Sequence, residues 1–318
     1  MNPKAQKIAF DITKLRIQGA SRIQAAAIQA PYWTAQQTKA KTPKSFQKEL
    51  EQTGLVLMKA RPTEPDLRTA IRIIWKAVFT KKQGFLEAKK AVLQACEDFS
   101  KNRKSALEKI AIIGAQQIPQ NAVILTHCHS HTVAAILKKA KKKIKHVYCT
   151  ETRPLFQGRI TATNLAKAGI PVTQIVDSAA ARILKTQNVN VFVTGCDAIL
   201  ANGTVINKIG TREISLAAKQ NNVPHLIFSS SHSFDPLTFF GWQEPIEERS
   251  WKEVWPKKPK KVRILNPAFD ETPANHVQKI VCEYGSFAPK AFVTRMKKEF
   301  KVQHDKKEYL NILRKLKK

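Results

Sequence analysis

The sequence predicts an α/β protein in which an N-terminal helical domain precedes a parallel sheet covered by helices, and three observations carry that prediction. Over roughly the first hundred residues, apolar side chains recur at helical spacing: Ile8, Ile12 and Leu15 at i, i+4 and i+7, then Phe85, Ala88, Val92, Ala95 and Phe99 in a longer stripe. Pro31, Pro43 and Pro62 punctuate this half, because proline ends or kinks helices. From about Pro119 the pattern changes to short β-branched runs, each followed by a polar turn and a helical segment. The runs are Ala122 to Thr126, His146 to Thr150, Pro171 to Val176, Asn190 to Thr194, Val223 to Phe228 and Val262 to Leu265. Their near-continuous apolar character suits strands covered on both faces, and strand–helix alternation implies right-handed crossovers in a Rossmann-like parallel sheet. The third observation is bulk: 318 residues, 43% of them hydrophobic, can bury a large core in one big domain or two ordinary ones. The expected division is a helical domain over 1–110 and the α/β domain over 111–318.

Composition narrows the class further. A formal charge of +31, from 55 Lys and Arg against 24 Asp and Glu, suits a partner that is RNA, a membrane surface or a small anion, and does not choose among them. The densest run, Lys138 to Lys145, follows an apolar stretch and reads as the solvated face of a helix with its exit turn. Five cysteines at wide spacing without a CxxC pair exclude a disulfide framework or a zinc knuckle and read as reduced thiols. The N-terminal segment has no apolar signal region, and no apolar run approaches the ~20 residues of a membrane span. A cytoplasmic location without membrane partners is expected.

Ligands of parallel sheets bind beyond the carboxyl ends of the strands, so the residues after each run are where chemistry is sought. After the first run comes Thr126-His127-Cys128-His129-Ser130-His131-Thr132. By composition this is a metal set, but successive residues leaving a strand point in different directions, so no metal is expected. Cys128 is open to two readings. A free cysteine is commonly a buried structural residue. Here Ser130 and Thr132 also mark the start of a helix running through Val133 to Lys139, where a thiol has a lowered pKa and hydroxyls and amides can hold phosphate.

Beyond the second run, Glu151 and Arg153 form either a buried ion pair that shapes the pocket floor or an interface, or direct contacts to substrate. Asp197, after the fourth run, is a turn-former or a carboxyl poised over the site. Gly203, Asn207, Lys208 and Gly210 follow it closely and supply backbone freedom, an amide and a cation suited to an anionic sugar. In the first half, Gln18-Gly19-Ala20-Ser21 is a glycine-containing turn into a helix that can donate amides to phosphate, and Arg61 precedes Pro62.

Taken together, LTHCHSHT, TETRPLFQGRITA, GIPVTQIVDSA, GCDAILANGTVINKIGT, PIEERSWKEVW and NPAFDETP resemble the family of initiation factor 2B regulatory subunits and their sugar-phosphate isomerase relatives. The resemblance runs in order from about Leu15 to about Phe300, and the ETRP…QG and NG…NKIGT signatures are specific to the family. The isomerases resemble one another in carrying Cys in the first-strand motif and Asp in the fourth, whereas the translation-factor alpha subunits typically lose one or both. Relatives acting on methylthioribose-1-phosphate usually have Cys-Asn-Ala-Gly and an Asp-Arg pair, where this chain has Cys128-His129-Ser130 and Asp197-Ala198. The pattern is more similar to the archaeal ribose-1,5-bisphosphate isomerase branch.

That resemblance implies conversion of ribose 1,5-bisphosphate to ribulose 1,5-bisphosphate in AMP degradation, by proton transfer with Cys128 as acceptor and Asp197 as donor. It implies substrate contacts at Gln18, Gly19, Ala20, Ser21, Arg61, Ser130, His131, Thr132, Asn207 and Lys208, and at Ser233, which stands where the branch has a lysine. A Gln18-to-Ser21 turn likewise replaces Arg-Gly-Ala-Gly, removing a cation and adding a side chain. It also implies no cofactor, and homo-oligomers, commonly hexamers assembled from dimers through the α/β domain. Two other readings accompany it: a non-catalytic initiation factor 2B-like subunit binding RNA or protein, favoured by the +31 charge and the basic tail, and an isomerase of another pentose phosphate.

Overall fold

The computed structural model describes residues 2–14, 16, 17, 19–79 and 83–317, without the side chains of 20 and 21. Leu15 of the first apolar stripe therefore lies outside the described residues. Contacts gather the chain into two units: Met1–Ser105 with Phe240–Trp242 and His304–Lys318, and Ala106–Phe239 with Gln243–Gln303.

The first unit contains α1 (Pro3–Thr13), α2 (Ala20–Gln37), α3 (Pro43–Ala60), α4 (Pro65–Phe79), the start of α5 (Phe85–Gln117) and the C-terminal helix Lys306–Leu316. Local signals set the starts. Asn2 caps α1 by accepting from the Lys4 and Ala5 amides at 2.9 and 3.4 Å. Thr42 and Ser45 close a capping box on α3, whose first residue is Pro43. Pro31 behaves differently from the expectation that it punctuates: it lies inside α2, which continues past it to Gln37. A second correction concerns the C-terminus, placed with the α/β domain by sequence but packed with the helical unit. Tyr309, Ile312 and Leu313 are buried, Arg72 reaches Asp305 at 3.5 Å and Glu308 at 3.4 Å, Lys76 holds Asp305 at 2.6 Å, and Lys315 pairs with Glu51. Part of the basic tail is thus structural. The expected boundary at 110 falls within α5, a single helix, and the units part at Ser105/Ala106.

In the second unit the strands are β1 (Ala122–Thr126), β2 (Ile144–Thr150), β3 (Val172–Ile175), β4 (Val191–Thr194), β5 (Ala198–Ile199), β6 (Val205–Lys208), β7 (His225–Phe228), β8 (Phe269–Thr272), β9 (Lys279–Cys282) and β10 (Gly285–Phe287). The helices are α6 (His131–Lys139), α7 (Gln157–Lys167), α8 (Ala180–Thr186), α9 (Thr211–Gln220), α10 (Trp251–Val254) and α11 (Pro289–Glu299). Seven strands form one sheet in the order β10-β9-β7-β4-β1-β2-β3, parallel throughout except for the β10–β9 pair. The period-2 alternation of strand side chains sorts the core. Ile124, Val147, Cys149, Val191 and Val193 pack with Ile110 of α5, Val133, Ile136 and Leu137 of α6 and Leu165 of α7. Leu125 and Phe192 pack on the other face with Ala180 and Leu184 of α8 and Ile214 and Ala218 of α9.

Five expected strands appear. Val262–Leu265 does not: it is irregular, Leu265 is 78% exposed, and prolines at 259 and 267 flank it. Apolar character there met no neighbouring edge to pair with, and β9 supplies the sixth parallel strand instead. The three-stranded antiparallel sheet β5-β6-β8 was not legible either, because β5 is two residues long and β8, the other partner of β6, lies far along the chain. It turns Asn207 and Lys208 from loop residues into the end of a strand. The lysine run after α6 is largely solvated, but the Lys143 ammonium donates to the Ala115 and Ile118 carbonyls at 3.0 and 3.1 Å at the end of α5. Among the described residues no helix is long and apolar enough to cross a membrane.

The tightest backbone approach is at Gly158, the second residue of α7. A Cβ there would lie 1.7 Å from the Thr150 carbonyl oxygen, at the end of β2. Gly158→Ala is expected to cost about 3 kcal/mol or more, since backbone cannot yield as a side chain can. A urea midpoint within error of wild type would contradict this close approach.

Candidate active site

The sheet order runs outward from β1 in both directions. The helices after β1 and β2 cover one face, whereas α8 and α9, which precede and follow β4, cover the other. The chain therefore reverses direction between β1 and β4, and the loops after these two strands diverge to leave a crevice. In register, Thr126 of β1 lies beside both Cys149 of β2 and Val193 of β4. Residues 127–130 and 195–197 accordingly emerge side by side. Gly195 makes the approach possible: a Cβ on it would sit 2.8 Å from Ser130 Oγ.

Cys128 occupies the left-handed region at φ 67°, a conformation that costs a non-glycine residue about 1 kcal/mol. Two hydroxyls hold it there. The Cys128 amide donates to Thr152 Oγ1 at 2.9 Å, and Thr161 Oγ1 of α7 donates to the Cys128 carbonyl at 2.8 Å. Because Thr161 spends its proton on that carbonyl, the 2.9 Å contact with His129 Nδ1 has the imidazole as donor. Burial keeps His129 neutral by lowering its pKa to about 4. Asp177, after β3, accepts from the Thr152 and Arg153 amides at 2.7 Å each, fixing the turn that presents the Thr152 hydroxyl.

His127 is the other bracket. Its Nε2 donates to the Ile209 carbonyl at 2.9 Å, so Nδ1 accepts from Thr150 Oγ1 at 2.6 Å, an arrangement that requires neutral imidazole. Burial lowers its pKa to about 4, which agrees. The ring lies under Gly210, whose Cβ would be 3.3 Å from His127 Cε1 and whose φ of +97° favours glycine. The strand-end turn of β1 is thereby tied to the Lys208–Gly210 segment.

The Cys128 thiol is pushed up to about 11 by burial, with Lys208 opposing the shift and Asp197 and Asp177 adding to it. This corrects the expectation of a thiol activated by a helix N-terminus. Cys128 precedes the N-cap residue Ser130 of α6, and desolvation outweighs any help from the helix. Lys208 lowers the proton affinity of the thiol and Asp197 raises it, both less than burial does. Lys208 ends β6 with its ammonium 5.1 Å from the Phe269 ring, and Asp197 is fixed by its amide donating to the Ile206 carbonyl at 2.9 Å.

Of the other expected contacts, Ser130 caps α6 by accepting from the Val133 amide, His131 opens that helix with its ring 4.7 Å from that of His129, and half-buried Thr132 follows. His127 and His129 take separate hydrogen-bond partners, and among the described residues no group of three or more His, Cys, Asp or Glu could hold a metal ion. Buried Asn207 donates to Thr211 Oγ1 at 3.1 Å. Ser233, also buried, pairs its hydroxyl with that of Ser229 at 2.8 Å. Glu151 pairs with Arg159 at 3.0 Å and not with Arg153, whose guanidinium turns to the Pro154 and Val254 carbonyls at 3.2 and 3.0 Å. Gly19, at φ +79°, is the N-cap of α2, and Arg61 is the C-cap of α3, both in the helical unit. Gln18 and the side chains of Ala20 and Ser21 lie outside the described residues. His127, Thr152, Thr161, Asp177 and Gly195 were not singled out from sequence. For Asp177 the signal was there, an acidic residue directly after a strand run.

Two expectations follow from these environments. Iodoacetamide alkylation of Cys128 should rise with pH along a curve centred near 11, ahead of Cys96, Cys149 and Cys282, whose thiols burial pushes up to about 12. A midpoint below about 8 would overturn the burial argument. Asp270 caps α9 through the Gly210 amide at 2.7 Å and the Arg212 amide at 3.1 Å, yet burial raises its carboxyl to about 6. A carboxyl raised on folding stabilises most below its unfolded pKa, and that contribution is lost as pH rises through the folded value. The stability of wild type relative to Asp270→Asn should therefore fall, by at most about 3 kcal/mol, between about pH 4 and 6. Urea unfolding of both proteins across that range measures it, and a flat difference contradicts the assignment.

Residues 16–289 match the Initiation factor 2 subunit family. The chain is 40% identical over 306 residues to ribose 1,5-bisphosphate isomerase of Pyrococcus furiosus, covering 92% of this chain and 93% of that one. Among solved structures, the translation initiation factor eIF-2B of Pyrococcus horikoshii is similar with a TM-score of 0.79 and 25% identity, over 91% of this chain and 98% of that one. The 5-methylthioribose 1-phosphate isomerase of Pyrococcus horikoshii follows with a TM-score of 0.76 and 29% identity, over 94% and 88%. With the same strand-end motifs now seen at one edge of a doubly wound sheet, the chain belongs to the Initiation factor 2 subunit family.

Proposed function

We propose that this chain is an aldose–ketose isomerase that converts ribose 1,5-bisphosphate to ribulose 1,5-bisphosphate. The observation that carries the reading is the side-by-side emergence of the Cys128 and Asp197 turns at the β1/β4 crevice, with the segment after Lys208 tied to His127 through the Ile209 carbonyl. The similarity to the Pyrococcus furiosus isomerase supplies the substrate.

The raised thiol changes how the pair works. At neutral pH a thiol of pKa about 11 is ionised in about one molecule in ten thousand, a deficit of about 5 kcal/mol. The pair holds one proton. Moving it from Cys128 to Asp197 produces the thiolate and carboxylic acid that the reaction needs, with no proton taken from solvent. Asp197 then protonates the ring oxygen O4 as the C1–O4 bond breaks, and Cys128 removes the C2 proton to leave a C1=C2 enol still bearing the C1 phosphate. The enol becomes the C2 ketone as its hydroxyl proton passes to Asp197 and Cys128 returns a proton to C1. The pair is then left as thiolate and carboxylic acid, and return of the proton from Asp197 to Cys128 restores the resting thiol and carboxylate. Lys208 stabilises the transient thiolate and offers a cation to phosphate.

Purified protein incubated with ribose 1,5-bisphosphate should yield ribulose 1,5-bisphosphate by NMR. Cys128→Ser and Asp197→Asn should each lower kcat by about 100-fold or more. Full turnover by both variants sinks the assignment of the pair, and no turnover by wild type returns the chain to a binding role. A second reading, another pentose phosphate as substrate, is favoured by Ser233, whose buried hydroxyl pairs with Ser229 where the isomerase branch offers a lysine. Comparing kcat/KM for ribose 1,5-bisphosphate and 5-methylthioribose 1-phosphate separates the two. A homo-oligomer, with the hexamer as its specific form, belongs to the same proposal and is read by light scattering.

A further inference from the structure

Binding a small bisphosphate uses few of the 55 cationic side chains, and one segment carries six of the others in an unusual setting. Residues 251–265 are a surface segment of the α/β unit that runs between two anchors. At its base, Asn266 Nδ2 donates to the Ser250 carbonyl at 3.0 Å and to Glu253 at 3.2 Å, and Arg249 holds Glu253 at 2.5 Å. From the side, Arg153 Nη2 donates to the Val254 carbonyl at 3.0 Å. The segment is therefore held in place while its side chains face outward.

Those side chains are Lys252, Lys257, Lys258, Lys260, Lys261 and Arg263. Among the described residues no carboxylate forms an ion pair with any of the six, and Glu253, the one acid between 251 and 265, is already engaged with Arg249 and Asn266. Interleaved with the cations are two indoles, Trp251 at 38% and Trp255 at 48% exposure. Lys252 and Lys258 lie 5.7 and 5.2 Å from the Trp251 ring centroid, so cation and π-face present together. Pro256 and Pro259 stiffen the lysine-rich stretch and reduce the entropy lost on binding. Unpaired cations alone are served by any polyanion. Exposed indole faces beside them fit a polyanion with flat bases, and no strand or helix long enough to enter a duplex groove is present in the segment.

We propose that 251–265 is a binding surface for single-stranded RNA, with the lysines on phosphates and Trp255 stacked on a base. The test is fluorescence anisotropy of a labelled oligouridine of about 16 nucleotides, titrated with the full chain from about 50 to 200 mM KCl. Each phosphate contact on a single strand contributes about 0.7 to the log–log salt slope. A variant with Lys257, Lys258, Lys260 and Lys261 each changed to Gln should therefore bind with a slope shallower by about three. Trp255→Ala should weaken binding about tenfold at every salt concentration without changing the slope. No binding by wild type, an unchanged slope in the lysine variant, or equal competition by polyglutamate with no effect of Trp255→Ala would each overturn the proposal. Loss of assembly by the lysine variant in light scattering would also overturn it, in favour of a contact between copies. Isomerase turnover by the same preparations is expected to be unchanged, and its outcome does not bear on the RNA result.

Discussion

Parallel pairing of β1 with β2 on one side and with β4 on the other is the constraint from which the rest of this site derives. Parallel strands require crossovers, crossovers place helices on the faces, and a right-handed chain that winds first one way and then the other must change face between the two central strands. The turn after β1 and the turn after β4 are then left facing each other with no helix between them. The candidate residues Cys128 and Asp197 stand at that place because both follow the carboxyl ends of these strands. Gly195 and Gly210 let the two turns and the β6 end close onto Ser130 and His127, and those contacts bring Lys208 and Asp197 within electrostatic range of one thiol.

The surroundings matter as much as the grouping. A thiol at the same place in water would be partly ionised and reactive toward any electrophile. Buried, it stays protonated at neutral pH, and in the proposed mechanism a single proton passed to Asp197 would link the two groups in one reactive state. The supporting hydroxyls of Thr152 and Thr161 do more than satisfy the Cys128 backbone. They hold the left-handed turn at Cys128, at the end of a strand whose neighbours Cys149 and Val193 belong to the core.

Positive charge is distributed with different purposes. Arg72, Lys76 and Lys315 knit the C-terminal helix to the helical unit, Lys143 closes the end of α5, and Arg159 neutralises Glu151. These are ordinary structural uses of cations at helix ends and paired carboxylates. The segment around Trp251 and Trp255 differs in having, among the described residues, six cations with no carboxylate paired to them and two exposed indoles beside them, the pattern on which the proposed polyanionic partner rests.

The order of strands and helices, the strand-end positions of Cys128 and Asp197, the helix start at Ser130 and the glycine turn at Gly19 could all be read from the chain, because hydrophobic period and capping chemistry are local. What pairing decided could not. Val262–Leu265 has strand composition and no edge to join, whereas Lys279–Cys282, unremarkable in sequence, found β7. The C-terminal helix could not be assigned to the helical unit without knowing which acids and bases would meet. The protonation of Cys128 could not be read for the same reason: a helix start is visible in sequence, but the burial that outweighs it exists only in the folded chain. Sequence alone thus determined which groups stand at the edge of the sheet, and the tertiary structure decided their proton affinity and their partners, because burial and distance are properties of the assembled fold.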